Sequence, residues 1–281
     1  MKIASFMSAK GQSYGVVTDA GTVDAGAALK SKFPDLQSVI AADALRELEK
    51  DVTGRPADIA LKEVRWLSPI VRPEKIWCVG LNYRKHAVEA GMEIPDHPSV
   101  FTRFTDTLAP HGSPIIVPKL SGDLDYECEL AVVIGRPGHH IPEDKALDHV
   151  AGYTCFNDGS VRDYQFQHSL AVGKNFAATG GIGPWIVTSD QIPDPSKLTI
   201  RTRLNGQEVQ YGTTDDLIFT VPQIVAYLSG ISALVAGDII VTGTPHGVGF
   251  ARKPPLWMKP GDVVEIEISE IGVLRNPVVA E

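Results

Sequence analysis

The chain has 281 residues, 43% of them hydrophobic, with 26 Lys and Arg against 34 Asp and Glu for a net charge of −8. That is enough for one large domain, or a large and a small one, and the acidic balance without a basic patch excludes nucleic acid as a partner. No apolar run approaches the length of a membrane span, and the N-terminus, Met1 to Lys10, turns polar too quickly for a secretory signal, so a cytoplasmic protein with no membrane contact is expected.

Residues 1–70 read as a small α+β module. Lys2 to Phe6 and Tyr14 to Thr18 are expected strands joined by a turn at Gly11, Thr22-Val23 leads to Asp24, and a helix is expected near Asp43 to Glu49. Ala60 to Pro69 reads as a linker, with Leu67-Ser68-Pro69-Ile70 as the strand leading into a main domain over residues 71–281.

The main domain opens with a strand, Ile76 to Gly80, followed by a helix from Arg84 to Ala90 that Gly91 stops. Further strands are expected at Ser99 to Phe104, Ser113 to Pro118, Leu130 to Ile134, Tyr153 to Phe156 and Trp185 to Val187. Thr199 to Leu204, Ile239 to Thr242 and Val263 to Ile268 complete the set. Asn205-Gly206 is a hairpin signal, and Thr220 caps a helix over Val221 to Ser229 with Pro222 in its first turn. Strands outnumber helices and no βαβ alternation occurs, which predicts a strand-rich α+β fold and excludes a doubly wound sheet or a (β/α)₈ barrel. Cys78, Cys128 and Cys155 lie in apolar segments without metal-ligand spacing and read as buried free thiols.

The most informative stretch is Leu124-Asp125-Tyr126-Glu127-Cys128-Glu129, which runs into the apolar segment Leu130 to Ile134. Side chains alternate along a strand, so Glu127 and Glu129 share a face. A Glu-x-Glu pair is usually a solvated strand face, but the continuous apolar run that follows argues for burial on both sides. Two adjacent buried carboxylates need compensation, and a hard divalent cation supplies it. Asn157-Asp158 ends another apolar segment and offers a third carboxylate, and oxygen-only ligands favour Mg²⁺ or Mn²⁺ over zinc. His86 and Glu89, three apart on the expected helix, face the same side, as a carboxylate orienting a general base would. Lys174, between Gly173 and Asn175, offers a cation to an oxyanion. Thr242 to Gly249 is a Gly- and hydroxyl-rich loop whose N–H groups suit a carboxylate, and it lacks the lysine of a phosphate-binding loop.

Five motifs then occur in order: Asn82-Tyr83 with His86 and Glu89; Asp125-Tyr126-Glu127-Cys128-Glu129-Leu130; Asn157-Asp158 with Ser160, Arg162-Asp163 and Gln165; Gly173-Lys174 with Phe176 and Gly183-Pro184-Trp185; and Thr242-Gly243-Thr244-Pro245 with Gly247-Val248-Gly249. Over about residues 70 to 275 the chain resembles the fumarylacetoacetate hydrolase family. The resemblance implies a mixed β-roll assembled as a homodimer, with Glu127, Glu129 and Asp158 holding Mg²⁺ or Mn²⁺. It implies His86 and Glu89 as a water-activating dyad on a short helix over the substrate, and Lys174 as a stabiliser of negative charge. Arg103, Gln165 and Thr244 would contact a small 2-oxo acid substrate. Phe101-Thr102-Arg103-Phe104 departs from the family's Phe-x-Lys-Pro, and a planar guanidinium is not a point charge. The expected reaction is metal-dependent hydrolysis of a C–C bond in an acylpyruvate-like β-diketone through an enolate. Decarboxylation of an oxaloacetate-like acid, hydration and isomerisation are alternatives on the same apparatus. An inactive binding protein is a further alternative, against which both His86 and Glu89 argue.

Overall fold

A computed structural model describes residues 1–281 and shows a strand-rich α+β fold. The largest sheet runs through Ile59–Ala60, Gly21–Asp24, Gly11–Thr18, Lys2–Ser8, Gly180–Thr188, Val150–Asn157, Cys128–Ile134, Ile239–Val241, Ile76–Gly80 and Ser99–Thr102. Neighbours along this path are antiparallel except Ile239–Val241, which pairs parallel with Ile76–Gly80. A second sheet orders Gln207–Thr213, Thr199–Leu204, Val263–Ile268, Gly272–Ala280 and Ile115–Val117. The hairpin at Asn205-Gly206 sets Leu204 opposite Gln207. Helix Val221–Ile231 follows Thr220, whose N–H donates to Gln223 Oε1 at 2.9 Å.

Strand Cys128–Ile134 is buried along its whole length, as its unbroken apolar run requires. Alternation divides it between two cores. Cys128, Leu130, Val132 and Ile134 pack with Ile200, Ile266 and Leu274 of the second sheet. Ala131 and Val133 pack with Ile3, Leu36, Val39 and Leu48 from the N-terminal residues. Burying such a branched aliphatic side chain contributes about 1.5–3 kcal/mol. The face carrying Ala131 and Val133 also carries Glu129 and, one step before the strand, Glu127.

Residues 1–70 form no separate layer. Lys2 and Ile3 pair with Val187 and Ile186, so the module's strands extend the main sheet. The expected linker is also built in: Arg65–Trp66 pairs antiparallel with Phe6 and Met7. Leu67 to Ile70, expected as a strand, takes no strand pairing. A helix at Leu36–Ala41 precedes the helix Leu45–Val52, and its Asp35 cap accepts the Ser38 N–H at 2.8 Å. The three cysteines are buried and free. No helix is long and apolar enough to cross a membrane.

Candidate metal centre and active site

Strand pairing brings the acids together. Cys128 is in register with Asn157. Asn157 Oδ1 accepts the Glu127 N–H at 3.0 Å, and the Asp158 N–H donates to the Glu127 carbonyl at 2.8 Å. Glu127, Glu129 and Asp158 are buried, and one carboxylate oxygen from each lies within 4.8 Å of the others.

Three buried cations surround them. Arg162 donates from Nε to Asp125 Oδ2 at 2.9 Å, from Nη2 to Glu127 Oε1 at 2.5 Å and from Nη1 to Gln165 Oε1 at 2.9 Å. Lys174 Nζ donates to Glu127 Oε2 at 2.5 Å, Asp158 Oδ2 at 2.6 Å and the Asp158 carbonyl at 3.2 Å. Arg103 Nη1 donates to Asp158 Oδ1 at 2.5 Å. Four buried carboxylates, counting Asp125, thus meet three cations, and the uncompensated charge falls on Glu129. Its one hydrogen bond is from the Gly243 N–H at 2.5 Å.

The acidities follow. Burial alone would raise the Glu127 carboxyl, but Arg162 and Lys174 hold it down to about 2. Burial, then Asp158 and Glu127, push Glu129 well above the usual carboxylate range. Burial works against the Lys174 ammonium, yet Asp158 and Glu127 raise its pKa. A buried carboxylate with no counter-charge is costly, and a cation at this point removes the cost. The cluster offers carboxylate oxygens alone, the donor chemistry of Mg²⁺ or Mn²⁺ and not of zinc. The donor set therefore fits the expected metal.

Lys174 arrives on helix Leu170–Lys174, capped by Ser169, whose Oγ accepts the Val172 N–H at 3.2 Å. Gly173 lets that helix sit against Arg162–Gln167, since a Cβ there would lie 2.7 Å from the Gln165 nitrogen. His86 arrives on helix Arg84–Ala90, which ends at Gly91 with φ 65°. Its Nδ1 is 3.4 Å from Glu89 Oε2, and Glu89 also takes the Gly247 N–H at 2.9 and 3.0 Å. Burial opposes this carboxylate, but His86 and the Gly247 N–H bring its pKa below the ordinary value.

His86, Lys174 and the three carboxylates line one cavity of about 150 Å³, with Gln165 and Thr244 also on its wall. Leu81, Met92, Phe101, Phe166, Leu170 and Phe250 supply its apolar surface. Two of the expected site residues do not line the cavity: Glu89, which stands behind His86, and Arg103. Arg103 lies behind Asp158 with its side chain fully buried, so its expected contact with substrate is corrected to a contact with a carboxylate of the cluster.

A family model described as fumarylacetoacetate (FAA) hydrolase C-terminal matches residues 75–279. The chain belongs to the fumarylacetoacetate hydrolase family. A mitochondrial oxaloacetate tautomerase of Xenopus laevis is 42% identical over 239 residues, 84% of this chain and 75% of that protein. The fumarylacetoacetate hydrolase structure from Exiguobacterium antarcticum superposes with a TM-score of 0.87 at 34% identity, covering 100% of both chains. A maleylpyruvate hydrolase from Sphingobium, solved with manganese(II) and pyruvate, has a TM-score of 0.83 at 29% identity and covers 100% of this chain and 99% of its own.

In this family member, sequence reasoning left Arg162 and Asp125 without roles. Asp125 accepts from Arg162 and from the N–H groups of Gly249 and Phe250, at 2.7 and 3.0 Å for the last two, tying the loop after Thr242 to the cluster. The signal was present for one of them: Asp125, Glu127 and Glu129 share one parity, whereas the polar run Asn157-Asp158-Gly159-Ser160 before Val161-Arg162 does not mark that arginine as buried.

Proposed function

We propose that the protein is a divalent-metal-dependent enzyme that interconverts keto and enol forms of a small 2-oxo acid by moving the proton on C3. The observation carrying this reading is the shared cavity: His86, Lys174 and the three carboxylates all face it. A void of about 150 Å³ takes a molecule of roughly benzene size, which suits a short 2-oxo acid. The Xenopus laevis relative, named for oxaloacetate tautomerisation, supports the reaction class.

When bound by Glu127, Glu129 and Asp158, Mg²⁺ or Mn²⁺ supplies Lewis-acid polarisation of the substrate's oxygens. The chain's own residues do the rest. Glu89 accepts the Nδ1–H of His86, which leaves Nε2 as the basic nitrogen. Nε2 takes the C3 proton of the keto acid, the C–H pair becomes the C2–C3 double bond, and negative charge moves to the 2-oxygen. Lys174 answers that charge with its own; its donors are held by Glu127 and Asp158, so it acts by field and not by a hydrogen bond. Transfer of that same proton from Nε2 to the 2-oxygen gives the enol and restores the neutral imidazole, and the reverse path carries it from the 2-oxygen through Nε2 back to C3. Phe101, Leu170 and Phe250 keep the site apolar, which strengthens these charge interactions.

The test follows enol absorbance of oxaloacetate with Mn²⁺, with EDTA, and with His86→Ala. Acceleration that needs both the metal and His86 supports the reading; a rate equal to buffer with wild type and Mn²⁺ overturns it. C–C hydrolysis of an acylpyruvate is the second reading. It is favoured by the same basic Nε2, which can take a proton from water, and by the Sphingobium relative, named for maleylpyruvate hydrolysis and solved with pyruvate. Pyruvate release from an acylpyruvate separates the two. The homodimer implied by the family resemblance belongs to the same proposal, and light scattering measures it.

A further inference from the structure

Arg103 follows strand Ser99–Thr102, and its side chain is 0% exposed. Its guanidinium is almost fully committed. Nη1 donates to Asp158 Oδ1 at 2.5 Å and the Gly159 carbonyl at 3.1 Å, Nη2 to Thr179 Oγ1 at 2.9 Å, and Nε to Thr107 Oγ1 at 3.2 Å. The space is made by Gly180, where a Cβ would lie 2.7 Å from Nη2. The other Asp158 oxygen, Oδ2, belongs to Lys174 at 2.6 Å. Asp158 is thus held at both oxygens by two buried cations, which fixes the plane of its carboxylate.

We propose that Arg103 is a positioning residue of the metal centre: its fork orients Asp158 toward Glu127 and Glu129 and thereby sets the affinity for the divalent cation. The proposal rests on the reading of Glu127, Glu129 and Asp158 as cation ligands. The four acceptors on three edges of the group match a planar fork, and a lysine ammonium at the end of a shorter reach cannot hold Asp158, Gly159, Thr107 and Thr179 together. An isolated carboxylate would rotate and pay that freedom back on binding a cation. Loss of an outer partner of this kind typically costs about 10–100-fold in metal affinity.

The experiment titrates Mn²⁺ alone, by calorimetry, into EDTA-stripped and dialysed wild type, Arg103→Lys and Thr179→Val, with melting curves in EDTA alongside. Arg103→Lys is expected to bind Mn²⁺ about 10–100-fold more weakly while remaining folded. Thr179→Val, which removes the Nη2 acceptor and touches no carboxylate, is expected to weaken binding by a smaller factor. Wild-type affinity in a folded Arg103→Lys, even with a lowered melting temperature, reduces Arg103 to a packing role and overturns the proposal. If Arg103→Lys does not fold, Thr179→Val decides by the same criterion. A wild type that binds no Mn²⁺ overturns the metal reading itself, and this proposal with it.

Discussion

Glu129 accepts the backbone N–H of Gly243 at 2.5 Å and has no cationic partner, unlike Glu127 and Asp158 beside it. One backbone donor does not offset a buried charge flanked by two others. The site therefore holds its electrostatic strain at a single, identifiable carboxylate.

Glu129→Gln should accordingly raise stability in EDTA and abolish the stabilisation that Mn²⁺ confers on wild type. The amide mimics the protonated acid that burial and the neighbouring carboxylates favour. A cation that binds only the folded state stabilises by about 2.7 kcal/mol at a hundredfold excess over Kd. Melting curves with EDTA and with Mn²⁺ measure both effects. A variant less stable than wild type in EDTA, or one with an undiminished Mn²⁺ shift, contradicts the assignment.

His86→Ala should lower turnover by about 10²–10⁴ and leave Mn²⁺ affinity nearly unchanged, because the imidazole acts on the substrate and its carboxylate partner is Glu89, not Glu127, Glu129 or Asp158. Glu89→Gln should fall between this variant and wild type: it weakens the orientation of His86, 3.4 Å away, and retains one acceptor for the Gly247 N–H. Full activity in His86→Ala would remove the base from the mechanism.

A pH effect on stability should arise far from the site. Burial and Arg275 bring the His111 imidazole down to about 4, and its Nδ1 accepts the Arg275 N–H at 3.1 Å, which requires the neutral ring. The folded state thus binds this proton less readily than the unfolded chain, whose histidine titrates near 6.5. The stability that the neutral ring supports is whole above pH 6.5 and declines as pH falls toward 4, at up to about 1.4 kcal/mol per pH unit. His111→Asn removes the titration, so its melting temperature should fall less than that of wild type between pH 7 and 4.5. Parallel curves for the two proteins would exclude this group.

Removal of residues 1–70 should give an aggregating chain and not a free catalytic domain. The cut uncovers the pairing edge of Gly180–Thr188 and strips Ile3, Leu36, Val39 and Leu48 from the core shared with Ala131 and Val133. A soluble, cooperatively melting 71–281 fragment would show that the two parts are independent after all.

The sequence by itself determined the central strand, the shared face of Glu127 and Glu129, the His86–Glu89 spacing, the Asn205-Gly206 hairpin and the capped helix after Thr220. Each depends on period, parity or a local turn, and such features are written in consecutive residues. The tertiary structure decided what each buried charge meets. Arg103 reaches Asp158 across 55 residues and Arg162 reaches Glu127 across 35, and no local pattern specifies which of several carboxylates a buried cation will find. The departure at Arg103 was visible as a change of residue type, but its direction was not. A strand end can aim an arginine into a cavity or behind it, and here Gly180, Thr107 and Thr179 make the room and the acceptors behind. The joining of residues 1–70 to the main sheet was hidden for the same reason: a strand edge carries no record in its own sequence of the partner that will cover it.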